Sequence, residues 1–179
     1  MKGHTRNKGF TLIEVLVTLV LLTIGMLALV SMQGRGIQFT ADSVARNNAI
    51  MLASEMMEVM RANPAARDTY LFVELPAEGT CPEDNEDVEA SNVAEQITCW
   101  SKKVRTLLPG TNGNSAKAEA VRNNFYICRS KELGTCDASG GSAIDIQVAW
   151  RSVGERCRDG EGEGDEDPFI CTLRLRGEL

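Results

Sequence analysis

The period of apolar and polar positions changes along this chain, and each change predicts an element. From Phe10 to Met32 a 23-residue run is apolar on every side and carries one charge, Glu14. About 20 apolar residues suffice to cross a bilayer as a helix. Beyond it the pattern becomes one-sided. Ile37, Ala41, Val44, Ala45, Leu52, Met56, Val59 and Met60 recur at three- and four-residue steps, with Arg46, Asn47, Glu55 and Arg61 between them. No proline interrupts positions 10–63, and Asn63-Pro64 is a strong stop. The pattern predicts one helix from about Phe10 to Ala62, roughly 80 Å long at 1.5 Å per residue. Its first half seeks lipid or other helices, and its second half packs one face on a globular domain. Gly25, Gly34 and Gly36 are its soft points, because glycine costs about 1 kcal/mol against alanine in a helix. Gly25 is the candidate for local melting.

Residues 74–95 hold eight acids and no base, which reads as an exposed connection anchored by Cys81. Asn92 and Glu95 form a capping-box-like start for a second helix, with Val93, Ile97, Trp100, Val104 and Leu107 facing inward. Pro109-Gly110 ends it, and Trp100 reads as core filler. Three strand signals follow. Phe125 to Cys128 is short. Ile144, Ile146, Val148 and Trp150 alternate with Asp145, Gln147 and Ala149, the pattern of a half-buried strand. Phe169, Cys171, Leu173 and Leu175 alternate with Thr172, Arg174 and Arg176 in the same way. Short links between them predict an antiparallel meander. The fold class is α+β: a long N-terminal helix lying on a small antiparallel sheet.

The N-terminus carries the sharpest chemical signal. A basic leader (Lys2, Arg6, Lys8) ends at Gly9, Phe10 opens the apolar run, and Glu14 stands four residues later. A carboxylate at mid-helix costs roughly 2.5–3.5 kcal/mol on insertion scales, and nearer the end it costs less. Its natural partner is an α-amino group, created by a cut between Gly9 and Phe10. A secretory signal would instead show an apolar core of about 7–15 residues and a small-x-small cleavage site. The segment KGFTLIEVLVTLVLLTIGMLAL resembles the N-terminus of type IV prepilins. The resemblance implies a membrane peptidase that cuts after Gly9 and methylates the new terminal Phe10, with Glu14 as an assembly residue. It also implies the type IV pilin fold. The organisation expected is a leader over 1–9, the membrane and assembly half of the helix over 10–32, and a periplasmic pilin domain over 33–179.

Further along, MQGRGIQFTADSVARNNAIMLASEMMEVMRANP, Cys99-Trp100, Tyr126 to Arg129, Ala149 to Arg151 and Leu173-Arg174-Leu175 resemble the PilV group of minor type IV pilins. That resemblance implies a low-abundance subunit that primes assembly of a retractile pilus serving adhesion and twitching motility. The implied partners are the prepilin peptidase, other minor pilins, the major pilin and a pilus-tip adhesin. The basic leader predicts a cytoplasmic N-terminus by the positive-inside rule. The subunit would cross the inner membrane once, then occupy the base or tip of the pilus. A pseudopilin of type II secretion shares the same N-terminus and is the alternative. A signal-anchored periplasmic binding module is the alternative of another class.

Charge and titratable residues narrow the chemistry. The formal net charge is −6, and residues 1–32 carry three basic groups and one acid, so the remainder carries −8. So acidic a domain is a poor phosphate binder, which argues against nucleic acid as a partner. The one histidine, His4, lies in the leader, so the processed chain has none. That removes Ser-His-Asp and Cys-His catalysis and histidine-ligated zinc. No pair of acids stands out for catalysis, and no enzyme and no cofactor are expected. Six cysteines (Cys81, Cys99, Cys128, Cys136, Cys157, Cys171) fall in the exported portion, an even number that implies disulfides. Six allow fifteen pairings. Neighbour pairs are favoured: Cys81–Cys99, Cys128–Cys136 and Cys157–Cys171. The last closes a loop of about 15 residues, worth about 3 kcal/mol in the chain-entropy model. Asp159, Glu161, Glu163 and Asp165 alternate with glycines and imitate the first half of an EF-hand loop. The twelfth position, where a bidentate glutamate belongs, is Ile170. The stretch therefore reads first as a solvated acidic loop and only secondarily as a calcium site.

Overall fold

The computed structural model describes residues 9–82, 92–137, 141–154, 156–157 and 167–178. The chain divides into two compact units, Met1–Phe39 and Thr40–Leu179. Helix α1 spans Leu12–Ala62 and runs unbroken through Gly25, Gly34 and Gly36. It stops where the sequence says it must. Asn63 N–H donates to the Met60 carbonyl at 3.3 Å, and Pro64 opens a 3₁₀ segment, Pro64–Tyr70. Tyr70 is buried; its hydroxyl donates to Gln96 Oε1 at 2.5 Å and accepts from Asn63 Nδ2 at 3.0 Å.

Within the second unit, α1 buries Ala45, Ala49, Leu52, Ala53, Met56, Met57 and Met60. Leu52, Met56 and Met60 lie where the periodicity puts them, and Val59 is half-buried against the core. Val44 does not: it is 51 % exposed, and Ala41 is exposed too. Ile37, in the first unit, is also exposed. The buried stripe runs through Ala45, Ala49 and Ala53. Val44 stands about 100° round from it, so its side chain is left outside.

The sheet has three antiparallel strands in the order β1 (Tyr126–Ser130), β2 (Ala143–Arg151) and β3 (Ile170–Glu178). Ile146 pairs with Ile127 on one side and Leu175 on the other. Ile144, Ile146, Val148 and Trp150 share a face with Gly177, and a Cβ at Gly177 would lie 3.0 Å from Met57 Sδ and Cε. That face receives α1. Phe72 extends the β1 edge by exchanging both backbone hydrogen bonds with Ile127, at 3.0 and 2.8 Å.

The expected half-exposure of β2 is not what the fold shows. Asp145, Gln147 and Ala149 are as buried as their apolar neighbours. A polar layer covers them. Gly134 N–H donates to Asp145 Oδ2 at 2.6 Å, Gln147 Nε2 donates to the Asn124 carbonyl at 2.8 Å, and Arg174 Nε donates to Gln147 Oε1 at 2.7 Å. Burial, then the Asp145 carboxylate, pushes the Tyr126 phenol in this layer above its usual pKa. Alternation of polar and apolar residues reports two different faces, and here both are inside.

Helix α2, Val93–Leu107, begins at the predicted cap: Asn92 Oδ1 accepts from Glu95 N–H at 3.2 Å, and Asn92 Nδ2 donates to Glu95 Oε2 at 2.9 Å. Val93, Trp100 and Val104 are buried, while Ile97 and Leu107 are half-buried. Ser101 and Arg105 are buried as well, because they hold the preceding segment down. Ser101 Oγ and Arg105 Nη2 both donate to the Pro76 carbonyl, at 2.9 and 2.7 Å. Burial and the neighbouring Arg122 guanidinium lower the Arg105 pKa. The Trp100 indole N–H donates to the Leu52 carbonyl of α1 at 3.0 Å. A short third helix, α3 (Ala116–Arg122), is capped by Ser115, whose Oγ accepts from Ala118 N–H at 3.2 Å.

Three disulfides join consecutive cysteines: Cys81–Cys99, Cys128–Cys136 and Cys157–Cys171. At the turn after α2, Gly110 has φ +82°, and a Cβ there would lie 2.5 Å from Arg151 Cβ. The neighbouring Pro109 carbonyl accepts from Arg151 N–H at 2.8 Å, so the turn cannot shift without losing that bond. Gly110→Ala is therefore expected to destabilise the second unit by about 2 kcal/mol or more, the left-handed penalty plus the clash. A denaturation midpoint equal to that of the parent chain would contradict this.

Candidate assembly site

The first unit starts with Gly9, Phe10 and Thr11 outside the helix. Phe10 is 82 % exposed, and nothing lies within 4 Å of a Cβ built on Gly9. Thr11 is the N-cap. Its Oγ1 accepts from Glu14 N–H at 3.3 Å, and its carbonyl accepts from Glu14 N–H at 3.1 Å and Val15 N–H at 3.3 Å. Thr11-Leu12-Ile13-Glu14 is thus a Thr-x-x-Glu start, with the acid in the first turn where the helix dipole favours negative charge. The Thr-x-x-Glu pattern is legible in the sequence, although in an apolar run Glu14 stands out first as a charge.

The polar hydroxyls further along this segment are turned back on the helix. Thr18 Oγ1 donates to the Val15 carbonyl at 2.9 Å and Thr23 Oγ1 to the Val20 carbonyl at 2.8 Å, so each hydroxyl is satisfied within the helix. Large apolar side chains from Phe10 to Met32 are exposed all round. The helix is long and apolar enough to cross a membrane, with a mean hydropathy of 2.6 over its most apolar stretch. Against that surface the Glu14 carboxylate makes no hydrogen bond or ion pair among the described residues. Burying this surface in lipid or protein leaves one charge that needs a partner from outside.

The other sequence-derived candidates sit elsewhere. The six cysteines are all in the second unit, in the disulfides described above. Asp159, Glu161, Glu163 and Asp165 lie outside the described residues, as do His4 and the basic leader residues. Asp167, just after that stretch, is engaged: it accepts from Arg151 Nη1 at 2.8 Å and from Phe169 N–H at 3.1 Å. Those bonds, the arginine's first, hold its carboxyl below the usual carboxylate range. Among the described residues no group of three or more metal-binding side chains comes together.

Comparison with known families agrees with this geometry. A model of the prokaryotic N-terminal methylation motif matches residues 4–30. The adjoining residues 31–104 match the type IV pilin Tt1218 model, which takes in the rest of α1 and most of α2. No curated protein and no solved structure matches the chain. The pilin family is a structural one, and its methylation motif implies prepilin-peptidase processing, membrane anchoring and assembly into a pilus. A capped apolar helix whose Glu14 carboxylate is unpaired among the described residues, the second half of that helix packed on a three-stranded antiparallel sheet, three disulfides and two adjoining pilin models lead to one assignment: the chain belongs to the type IV pilin-like family.

Proposed function

We propose that this chain is a minor type IV pilin of the PilV group that helps prime pilus assembly. Gly9 is the residue after which the prepilin peptidase cuts, Phe10 becomes the N-methylated terminus, and Glu14 pairs with the amine of an adjacent subunit. The observation that carries the reading is the Glu14 carboxylate, unpaired among the described residues, in an exposed apolar helix four residues beyond Phe10. An ion pair lowers the cost of that charge in hydrocarbon and sets the axial register of neighbouring helices. The apolar half of α1 holds the subunit in the inner membrane until neighbours cover it. The disulfide-stapled unit then meets other minor pilins, the major pilin and a tip adhesin. Intact mass and N-terminal peptide mapping of the chain from its native membrane test the first step. A chain that begins at N-methyl-Phe10 supports the reading. One that retains Met1, or is cut beyond Met32, removes the amine and sinks it. Deleting the gene then separates machines: lost surface pili and twitching indicate a pilus, and lost protein secretion a type II system.

A further inference from the structure

We infer that Asn112, in the turn between α2 and α3, is a site of spontaneous covalent modification that converts to aspartate and isoaspartate through a cyclic imide. The inference is independent of the chain's place in a pilus. Asn112-Gly113 is the one Asn-Gly pair in the sequence. Glycine matters because it has no side chain to shield its own backbone nitrogen, the atom that attacks. Gly113 lies in the left-handed region at φ +85°, and nothing stands within 4 Å of a Cβ built on it. Its N–H donates to Asn112 Oδ1 at 3.1 Å. The nucleophile is thus held against the carbonyl group whose carbon it must reach, as in a near-attack conformer.

The backbone on both sides of Asn112 is fixed. Arg122 Nη1 donates to the Thr111 carbonyl at 3.2 Å and to the Gly113 carbonyl at 2.7 Å. Arg105 Nη1 donates to the same Thr111 carbonyl at 3.2 Å. Thr111 is buried, with its hydroxyl donating to the Leu108 carbonyl at 2.8 Å. Between these anchors Asn112 and Gly113 are exposed, so water and hydroxide reach them. The two guanidinium groups beside the turn favour the negative charge that the nitrogen carries as it attacks. The steps balance with water as the co-reactant. Gly113 N gives its proton to hydroxide and bonds to Asn112 Cγ. The Cγ–Nδ2 bond breaks, and Nδ2 takes a proton from water and leaves as ammonia, which restores the hydroxide. Water then adds to one of the two imide carbonyl carbons and breaks its bond to the ring nitrogen. Opening at Cγ gives aspartate with the backbone path unchanged. Opening at the Asn112 main-chain carbonyl carbon gives isoaspartate, whose backbone runs through Cβ and Cγ and is one carbon longer. That product draws the Gly113 carbonyl away from Arg122, so the turn loosens as the molecule ages.

The test follows the full-length chain, extracted in detergent with its disulfides intact, through incubation at neutral pH and physiological temperature. Peptides from digestion at acidic pH, where the amide nitrogen keeps its proton, are mapped by mass spectrometry with fragmentation that separates aspartate from isoaspartate. The expected result is a mass gain of about 1 Da in the peptide that holds Asn112, with both products present. The parent chain should convert at least as fast folded as it does unfolded in denaturant, because the fold holds the attacking pair together. Gly113→Ala should slow conversion about tenfold or more, since a Cβ shields the nitrogen and disfavours the left-handed turn. No gain at Asn112, an equal gain at Asn114, faster conversion on unfolding, or an unchanged rate in Gly113→Ala would each overturn the site. The comparison of folded with unfolded protein needs only the parent chain, so it decides the matter even where Gly113→Ala fails to fold.

Discussion

Glu14→Val should give a chain that inserts and is cleaved at Gly9 but is nearly absent from assembled pilus material. Valine lowers the cost of insertion, since it removes the one charge from the apolar run. It also spares the helix start, because Thr11 caps through the backbone N–H of residue 14 and not through its side chain. What is lost, on the proposed pairing, is the partner of a neighbour's amine. Removing one member of a buried ion pair costs about 3–5 kcal/mol, because the other charge is left uncompensated. In an association constant that is at least about a hundredfold. Quantifying the subunit in sheared pilus fractions against its membrane pool measures this directly. Glu14→Gln, which keeps the side chain's length and loses its charge, should behave like valine. Thr11→Val, which removes the cap at about 1 kcal/mol, should be far milder. Wild-type incorporation of Glu14→Val would end the pairing mechanism, and a Thr11→Val defect as severe would move the effect to the helix start.

The largest stability loss is expected at Trp100. The ring is buried between Phe72, at 6.0 Å centroid to centroid, and Phe125, at 6.5 Å edge-on, and its N–H reaches the Leu52 carbonyl of α1. Trp100→Ala should cost about 3–5 kcal/mol, a large share of a stability of about 5–15 kcal/mol. At about 2–4 °C per kcal/mol for a chain of this size, the melting point should fall by roughly 10 °C. Trp100→Phe keeps most of the apolar contact and loses only the hydrogen bond, so it should cost no more than about 2 kcal/mol. Trp150 is also buried and remains as the fluorescence reporter in both variants. Equal losses for alanine and phenylalanine would show that the indole bond, not the packing, holds α2 to α1.

What could be read from the residues, and what could not, follows from how many turns or pairs a signal spans. Helix α1 announced itself over fourteen turns, and Asn63-Pro64 and the Asn92–Glu95 cap are local chemistry with few alternatives. The seven-residue α3 has too few turns to display a period, and the 3₁₀ segment Pro64–Tyr70 has none. Val44 lies outside because periodicity gives the angle between residues but not which edge of a broad apolar stripe meets the core, and the buried stripe runs through Ala45, Ala49 and Ala53. The buried polar face of β2 was misread for a different reason. Asp145 Oδ2 accepts from Gly134 N–H and Gln147 Nε2 donates to the Asn124 carbonyl, partners remote in sequence that no window along the strand contains. At the assembly site the roles proposed for Gly9, Phe10 and Glu14 rest on one compact motif.

The pairing of consecutive cysteines has a consequence for biogenesis. The bridges span 18, 8 and 14 positions and none encloses or crosses another. Each can therefore close as soon as its second cysteine emerges into an oxidising compartment, before the next pair has appeared. An oxidant acting on the emerging chain reaches the native set in order, with no wrong bridge to be undone. A knotted or nested arrangement of six cysteines would have made maturation wait for the whole chain and for an isomerase.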